Sequence, residues 1–238
     1  MGSIPVGGTM LNNNMKILIA GDSWGKGEWG GNRPIYDVSH LGLERYFRTK
    51  KYDVLNVSQG GASNQESIRN LSSSLTYKAW DYVFWFQTAP LRNLRPYPIF
   101  KKDFRSYKDL LDKSNELLDK DYKNLNNLER PIHCIGGCSK LNLDLMSNYQ
   151  NLIPLIPSFT ELILKDYKHP DIWIEEWNPL IGTQFDKTSI DLLYFDQKRA
   201  QQLKEIEEYR KYFWPDGVHP NRRGHKFLFK YICGTLNI

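Results

Sequence analysis

Cysteine is scarce and odd in number: three residues, Cys134, Cys138 and Cys233, in a chain of 238. So few thiols exclude a disulfide framework and point to reducing surroundings, with the thiols buried. His133, Cys134 and Cys138 fall on and just beyond one apolar run, but without further donors nearby they do not make a metal site. No apolar stretch is long enough to cross a bilayer. Runs of like charge hardly exceed a pair, as at Lys101-Lys102 and Arg222-Arg223, although 32 basic against 27 acidic residues leave a formal charge of +5. A nucleic-acid surface needs a clustered basic stripe, so that class of partner is not expected. Internal repeats and low-complexity tracts are also missing. The first fourteen residues, "MGSIPVGGTMLNNN", lack the basic and apolar regions of a signal peptide. They read as a tag remnant or frayed extension, with Met15 a natural start, and a cytoplasmic location is expected, virion association being the other possibility.

What is present is a chain with 40% hydrophobic and 13% aromatic residues, enough to bury a sizeable core as one domain over residues 15–238. Short apolar strands alternate with helical segments, the pattern of an α/β fold with a parallel sheet. Strands are expected at Lys16 to Ala20, Asp53 to Val57, Tyr82 to Phe86 and Ile132 to Ile135, with a weaker fifth at Ile172 to Ile174. Helices are expected at His40 to Thr49, Asn64 to Ser74 and Phe104 to Leu128. Ile190, Leu193, Leu203, Ile206 and Tyr209 recur near the helical period and predict a long helix from about Ser189 to Tyr212. A last helix spans His225 to Cys233, its His225 facing solvent. Ala89 to Pro98, with three prolines, reads as a loop, and strand-to-helix loops of such sheets lie at the edge where ligands bind.

The stretch "KILIAGDSWGKGEWGG" allows three sites. Gly21 to Gly25 fits G-x-S-x-G, Gly25 to Gly30 fits G-x-G-x-x-G, and Gly21-Asp22-Ser23 stands alone as a third signature. A dinucleotide loop turns straight out of its strand, and the second strand ends in an acid. Here four residues, Gly21 to Trp24, intervene, Gly30, Gly31 and Pro34 break the following helix, and "DVLNVS" runs into Ser58 and Gln59. The α/β-hydrolase elbow normally follows several strands, whereas Ser23 follows the first. The other end of the chain decides. In "FWPDGVHPNRRGH" Asp216 and His219 are three apart in a turn before the last helix, supplying the base and the orienting carboxylate that a serine nucleophile needs.

The sequence resembles the SGNH, or GDSL-type, hydrolase family through "GDSW" after the first strand, "VLNVSQGGASN" after the second and "DGVHPN" before the last helix. GDSW variants of this kind resemble phage-encoded members. The resemblance covers nearly the whole chain from Met15. It implies a three-layer α/β/α sandwich with a mostly parallel, flavodoxin-like sheet, Ser23 as nucleophile, His219 as base and Asp216 as its orienting acid. It further implies that the backbone N–H groups of Ser23 and Gly61 hold an oxyanion, and no metal or organic cofactor.

One block departs. The family's Gly-x-Asn-Asp after the third strand, whose Asn donates to the oxyanion, is replaced by "FWFQTAPLRN". Gln87 carries the same amide and is the first candidate to replace it, with Thr88 and Asn64 as substitutes. Trp24, Trp29, Trp85 and Trp214 are by default core or rim aromatics; Trp24 and Trp214 flank the implied triad as possible sugar or acyl contacts. The resulting expectation is a serine esterase acting on a small-molecule or carbohydrate ester, a carbohydrate O-acetyl ester among them. The alternative is a non-catalytic or virion-associated carbohydrate-binding module on the same fold.

Overall fold

Ile17 to Ala20 are all fully buried, which a strand achieves only when both faces of its sheet are covered. The computed structural model of the protein describes residues 14–30, 37–94, 106–137, 139–165, 203, 205–214 and 219–238. Its main sheet has five strands: β1 (Lys16–Ala20), β4 (Asp53–Asn56), β5 (Tyr82–Gln87), β6 (Ile132–Gly136) and β7 (Leu152–Ile156). They lie in the order β4-β1-β5-β6-β7, every pairing parallel. Counted within this sheet alone, that is the 2-1-3-4-5 order of flavodoxin-like folds. A two-stranded antiparallel ribbon, β2 (Glu28–Gly30) and β3 (Asp37–His40), stands apart.

Period-two alternation sorts the strand residues into two cores. Ile17, Ile19, Phe84 and Phe86 face one side, with Leu43 and Phe47 of α2 (Gly42–Thr49) and Leu228 and Ile232 of α8 (Arg222–Leu236). Phe159 of α6 (Phe159–Ile163) and Tyr209 of α7 (Glu207–Tyr212) join this core. Leu18, Ala20, Val83 and Trp85 face the other side, with Leu71 of α3 (Asn64–Leu75), Leu118, Tyr122 and Leu125 of α4 (Tyr107–Asn126) and Met146 of α5 (Leu143–Met146). Helices on both faces of one sheet make the three layers that the alternation of elements predicts. A last short helix, α1 (Ser23–Lys26), follows β1 directly.

Helix starts follow side-chain chemistry. Ser63 and Glu66 form a capping box at α3, Ser63 Oγ accepting from the Glu66 N–H while Glu66 accepts from the Ser63 N–H. Asn221 caps α8 by accepting from the N–H groups of Arg223 and Gly224 at 2.8 and 3.0 Å. Each such cap satisfies donors that a helix leaves unpaired, and its loss typically costs about 1 kcal/mol.

Several expectations are corrected. The fifth strand, β7, carries Pro154, tolerated because β7 is at the sheet edge; the expected strand at Ile172 to Ile174 lies outside the described residues, as does most of the helix expected from Ser189. What is described of that helix is interrupted, because Ile206 has extended backbone (ψ 120°) and α7 begins only after it. The Pro-rich stretch opens not as a plain loop but as a 3-10 helix over Pro90–Leu94. His225 is fully buried rather than solvent-facing. Cys134 is buried and Cys233 half-buried, both as free thiols, and Cys138 is outside the described residues.

Candidate active site

The carboxyl edge of the sheet gathers the loops that follow β1, β4 and β5. β1 ends at Ala20, and Asp22 then caps α1 by accepting from the Trp24 N–H at 3.0 Å. Asp22 is buried at 1% exposure. Its other carboxylate oxygen accepts from Thr88 Oγ1 at 2.7 Å and from Arg92 Nη1 at 2.8 Å, a buried ion pair. The first turn after β1 is thereby clamped to the segment after β5, and Ser23 is presented at the first position of α1.

His219 comes from the far end of the chain. Its Nε2 lies 2.8 Å from Ser23 Oγ, across 196 positions of sequence. The base is held by its loop: the Trp214 N–H donates to the His219 carbonyl at 2.7 Å and the Asn221 N–H to the Tyr212 carbonyl at 2.9 Å. Asn221 Nδ2 donates to the carbonyls of Lys211 and Phe213. The Asn of "HPN" thus fixes the loop on one side and caps α8 on the other. Asp216, the expected orienting acid, lies outside the described residues.

The loop after β4 docks against the same turn, the Gln59 N–H donating to the Gly21 carbonyl at 3.1 Å. Gly61 has φ of +74°, a left-handed conformation that L side chains rarely adopt, which accounts for glycine at this place. Trp29, from β2, donates from Nε1 to the Ser23 carbonyl at 2.9 Å, and its ring centroid lies 6.3 Å from that of His219.

The remaining sequence candidates are placed elsewhere. Gln87 is fully buried, its Nε2 donating to Ser139 Oγ at 2.9 Å and to the Lys140 carbonyl at 2.6 Å, while its Oε1 accepts from Tyr122 Oη at 2.6 Å. Every polar atom of that amide is engaged, so it does not stand in for the missing Asn. The reason is strand parity: Gln87 shares the face of Val83 and Trp85, and that face meets α4. Thr88 donates its hydroxyl to Asp22. Asn64, fully buried, pairs with the Thr88 backbone through both amide atoms and also bonds Asp121. Trp24 is in the core, its default reading, and not at the surface where a sugar or acyl contact needs it: it is 3% exposed, with its ring edge-on to Phe159 and Phe213. Trp214 remains half-buried beside His219.

Two titratable groups lie buried behind these loops. Burial pushes the Asp121 carboxyl up to about 7, opposed by hydrogen bonds from Asn93 and Asn64. Burial takes His225 down to about 4. Among the described residues no group of three or more His, Cys, Asp or Glu side chains is placed to hold a metal ion, and no described helix is long and apolar enough to cross a membrane.

Sequence reasoning missed Trp29, Arg92 and Asn221. Asn221 was within reach as an Asn directly preceding a helix; the other two carried no local signal.

No family model matches the chain, and neither does any curated protein sequence. Among solved structures it is similar to TesA at 14% identity and a TM-score of 0.43, with 93% of this chain and 98% of that one covered. A putative lipolytic protein of the G-D-S-L family from Desulfitobacterium hafniense DCB-2 matches at 10% identity and a TM-score of 0.46, covering 92% and 98%. A family 3 carbohydrate esterase from Clostridium thermocellum matches at 14% identity and a TM-score of 0.41, covering 93% and 94%.

Proposed function

We propose that the protein is a serine ester hydrolase of the SGNH type that works through an acyl-enzyme. The observation that carries this reading is the 2.8 Å approach of His219 Nε2 to Ser23 Oγ, a nucleophile and base within hydrogen-bond reach.

In this reading Ser23 Oγ attacks the ester carbonyl carbon and gives its proton to His219 Nε2. The new C–O bond makes a tetrahedral oxyanion, held by the backbone N–H groups of Ser23 and Gly61. Collapse breaks the bond to the alcohol oxygen, which takes the proton from His219 and leaves. Water then attacks the acyl-serine, His219 removing its proton, and the acid departs as Ser23 Oγ recovers the proton. Asp216 orients His219 and stabilises the imidazolium that forms in each half. With Gln87, Thr88 and Asn64 engaged in the scaffold, the oxyanion relies on backbone donors rather than on a side-chain amide. The proposed substrate is a carbohydrate O-acetyl ester, supported by the half-buried aromatic side chains Trp29 and Trp214 near His219.

The test is a serine-directed fluorophosphonate followed by mass mapping, alongside turnover of a short-chain chromogenic ester. The expected result is one adduct, on Ser23, that is lost in His219→Ala. Labelling of another serine, or neither labelling nor turnover, overturns the proposal; the latter result favours a binding module on the same fold.

A further inference from the structure

Trp29 touches the three loops that build the site. Its Nε1 donates to the Ser23 carbonyl at 2.9 Å. Its six-membered ring lies directly over Gly60: a Cβ there would come within 2.5 Å of Trp29 Cη2 and 2.8 Å of Cζ2. Its centroid is 6.3 Å from that of His219, with the rings tilted by 45°. Of the other described tryptophans, Trp24, Trp80 and Trp85 are core residues at most 6% exposed, while Trp214 is half-buried with its backbone N–H on the His219 carbonyl. Trp29 is only half-buried, so part of a rigidly held indole stays open beside the base.

The position of that open surface follows from the chemistry. In the proposed reaction the alcohol oxygen must come within about 3 Å of His219 Nε2 to receive its proton. A group attached to that oxygen lies close to the imidazole, and the Trp29 ring is 6.3 Å from it, centroid to centroid. An indole anchored through its N–H to a backbone carbonyl loses little freedom when a flat or ring-shaped group lies against it, and it offers apolar contact and a π face to ring C–H groups. We infer that Trp29 is a specificity-determining residue that reads the alcohol portion of the ester and favours esters of ring alcohols over esters of small open-chain ones. This rests on the ester-hydrolase reading given above, and it is compatible with a sugar ring as the alcohol.

Gly60 supplies an independent handle. It is exposed and its φ lies outside the left-handed region, so its backbone accepts an alanine. Only the Trp29 ring forbids the methyl group.

The experiment compares cyclohexyl acetate with isopropyl acetate, two secondary-alcohol esters with the same acyl group and similar leaving-group acidity, using the full chain. The wild type is expected to prefer cyclohexyl acetate at least about tenfold in kcat/KM, the scale on which added methylenes are read by an apolar wall. Trp29→Ala should lose at least about tenfold more on cyclohexyl than on isopropyl acetate, chiefly through KM. Trp29→Phe, which keeps a ring, should retain most of the preference. Gly60→Ala should cut the preference in the wild type and do nothing further in Trp29→Ala, since the clash is then gone. Equal losses on both esters in Trp29→Ala, a wild type without preference, or additive effects of the two substitutions would overturn the inference. Fluorophosphonate labelling of Ser23 in the same samples separates this from failure of the underlying reading: an unlabelled, inactive wild type overturns the hydrolase proposal and this inference with it.

Discussion

Two loops leave the carboxyl edge of neighbouring strands and are built to opposite ends. The one after β1 has Ser23 held at a helix start with its hydroxyl turned to His219. The other, from the last residue of β5 through Leu94, has its polar side chains committed to protein partners: Gln87 to Ser139, Lys140 and Tyr122, Thr88 to Asp22, Arg92 to Asp22, and Asn93 to Asp121 and the Gln65 N–H. The first loop keeps a reactive group available because the second is a scaffold. A reactive hydroxyl needs rigid support, and a buried polar support is stable only if every member finds a partner.

The largest effect should come from breaking the first loop. Ser23→Ala or His219→Ala should lower kcat on a short-chain ester on the order of 10⁶-fold, and the double variant should be little worse, because the two act as one unit. Steady-state kinetics with active-site titration of the wild type checks this, and additive losses would deny that they work together.

Next comes the clamp between the loops. Arg92→Leu leaves Asp22 as a buried carboxylate without its ionic partner, which should cost about 3–5 kcal/mol of stability. Urea unfolding measures it. Because Asp22 also caps α1, the residual folded protein should lose activity as well.

The buried titratable groups sharpen the comparison, since one stands behind each loop. His225 approaches Gly42 closely, beside the α1 and β2 region, while Asp121 is tied to the β5 loop through Asn93. With its pKa lowered to about 4 from 6.5, His225 stays neutral in the fold while the unfolded chain takes a proton. Its contribution is therefore present above about pH 6.5 and is lost as pH falls toward 4. Asp121, raised to about 7 from 3.8, keeps its proton in the fold while the unfolded chain releases it, so its contribution is present below about pH 4 and is lost as pH rises toward 7. Between about pH 4 and 6.5 the two slopes oppose each other. Asp121→Asn should uncover stability that rises with pH by about 1.4 kcal/mol per unit, and His225→Leu a fall of the same size. Chemical denaturation at pH 4.5, 5.5 and 6.5 reads both slopes; parallel curves for wild type and variants would refute the assignment.

The smallest effect should come from Gln87. Gln87→Leu strands buried partners and should cost about 1–3 kcal/mol of stability. The kcat per folded molecule should stay near the wild-type value. A fall in kcat of about 10²-fold or more at unchanged KM would return the amide to the oxyanion.

How far the sequence could be read depended on how local each signal was. Four strands of the main sheet were legible because apolar runs covered on both faces have few alternatives. β7 was not, because "LIPLI" carries a proline that only an edge position tolerates. The burial of His225 was available in principle, since it shares a helical stripe with Leu228 and Ile232, but a titratable residue close to Arg222, Arg223 and Lys226 reads as surface. Gln87 was misplaced for a related reason: its amide suggested chemistry, whereas its parity with Val83 and Trp85 pointed it to α4.

The sequence by itself determined the alternation of strands and helices and the two faces of the sheet, and it offered Ser23 and His219 as candidates, because period, breakers and residue chemistry are local properties. Only the tertiary structure decided that these two side chains meet at 2.8 Å across 196 positions. It alone decided that Arg92 neutralises Asp22 beneath them and that Trp29, rather than Trp24, stands open beside the base. Those outcomes depend on how separate elements pack and on which polar groups then lose water, and no window of sequence contains that information.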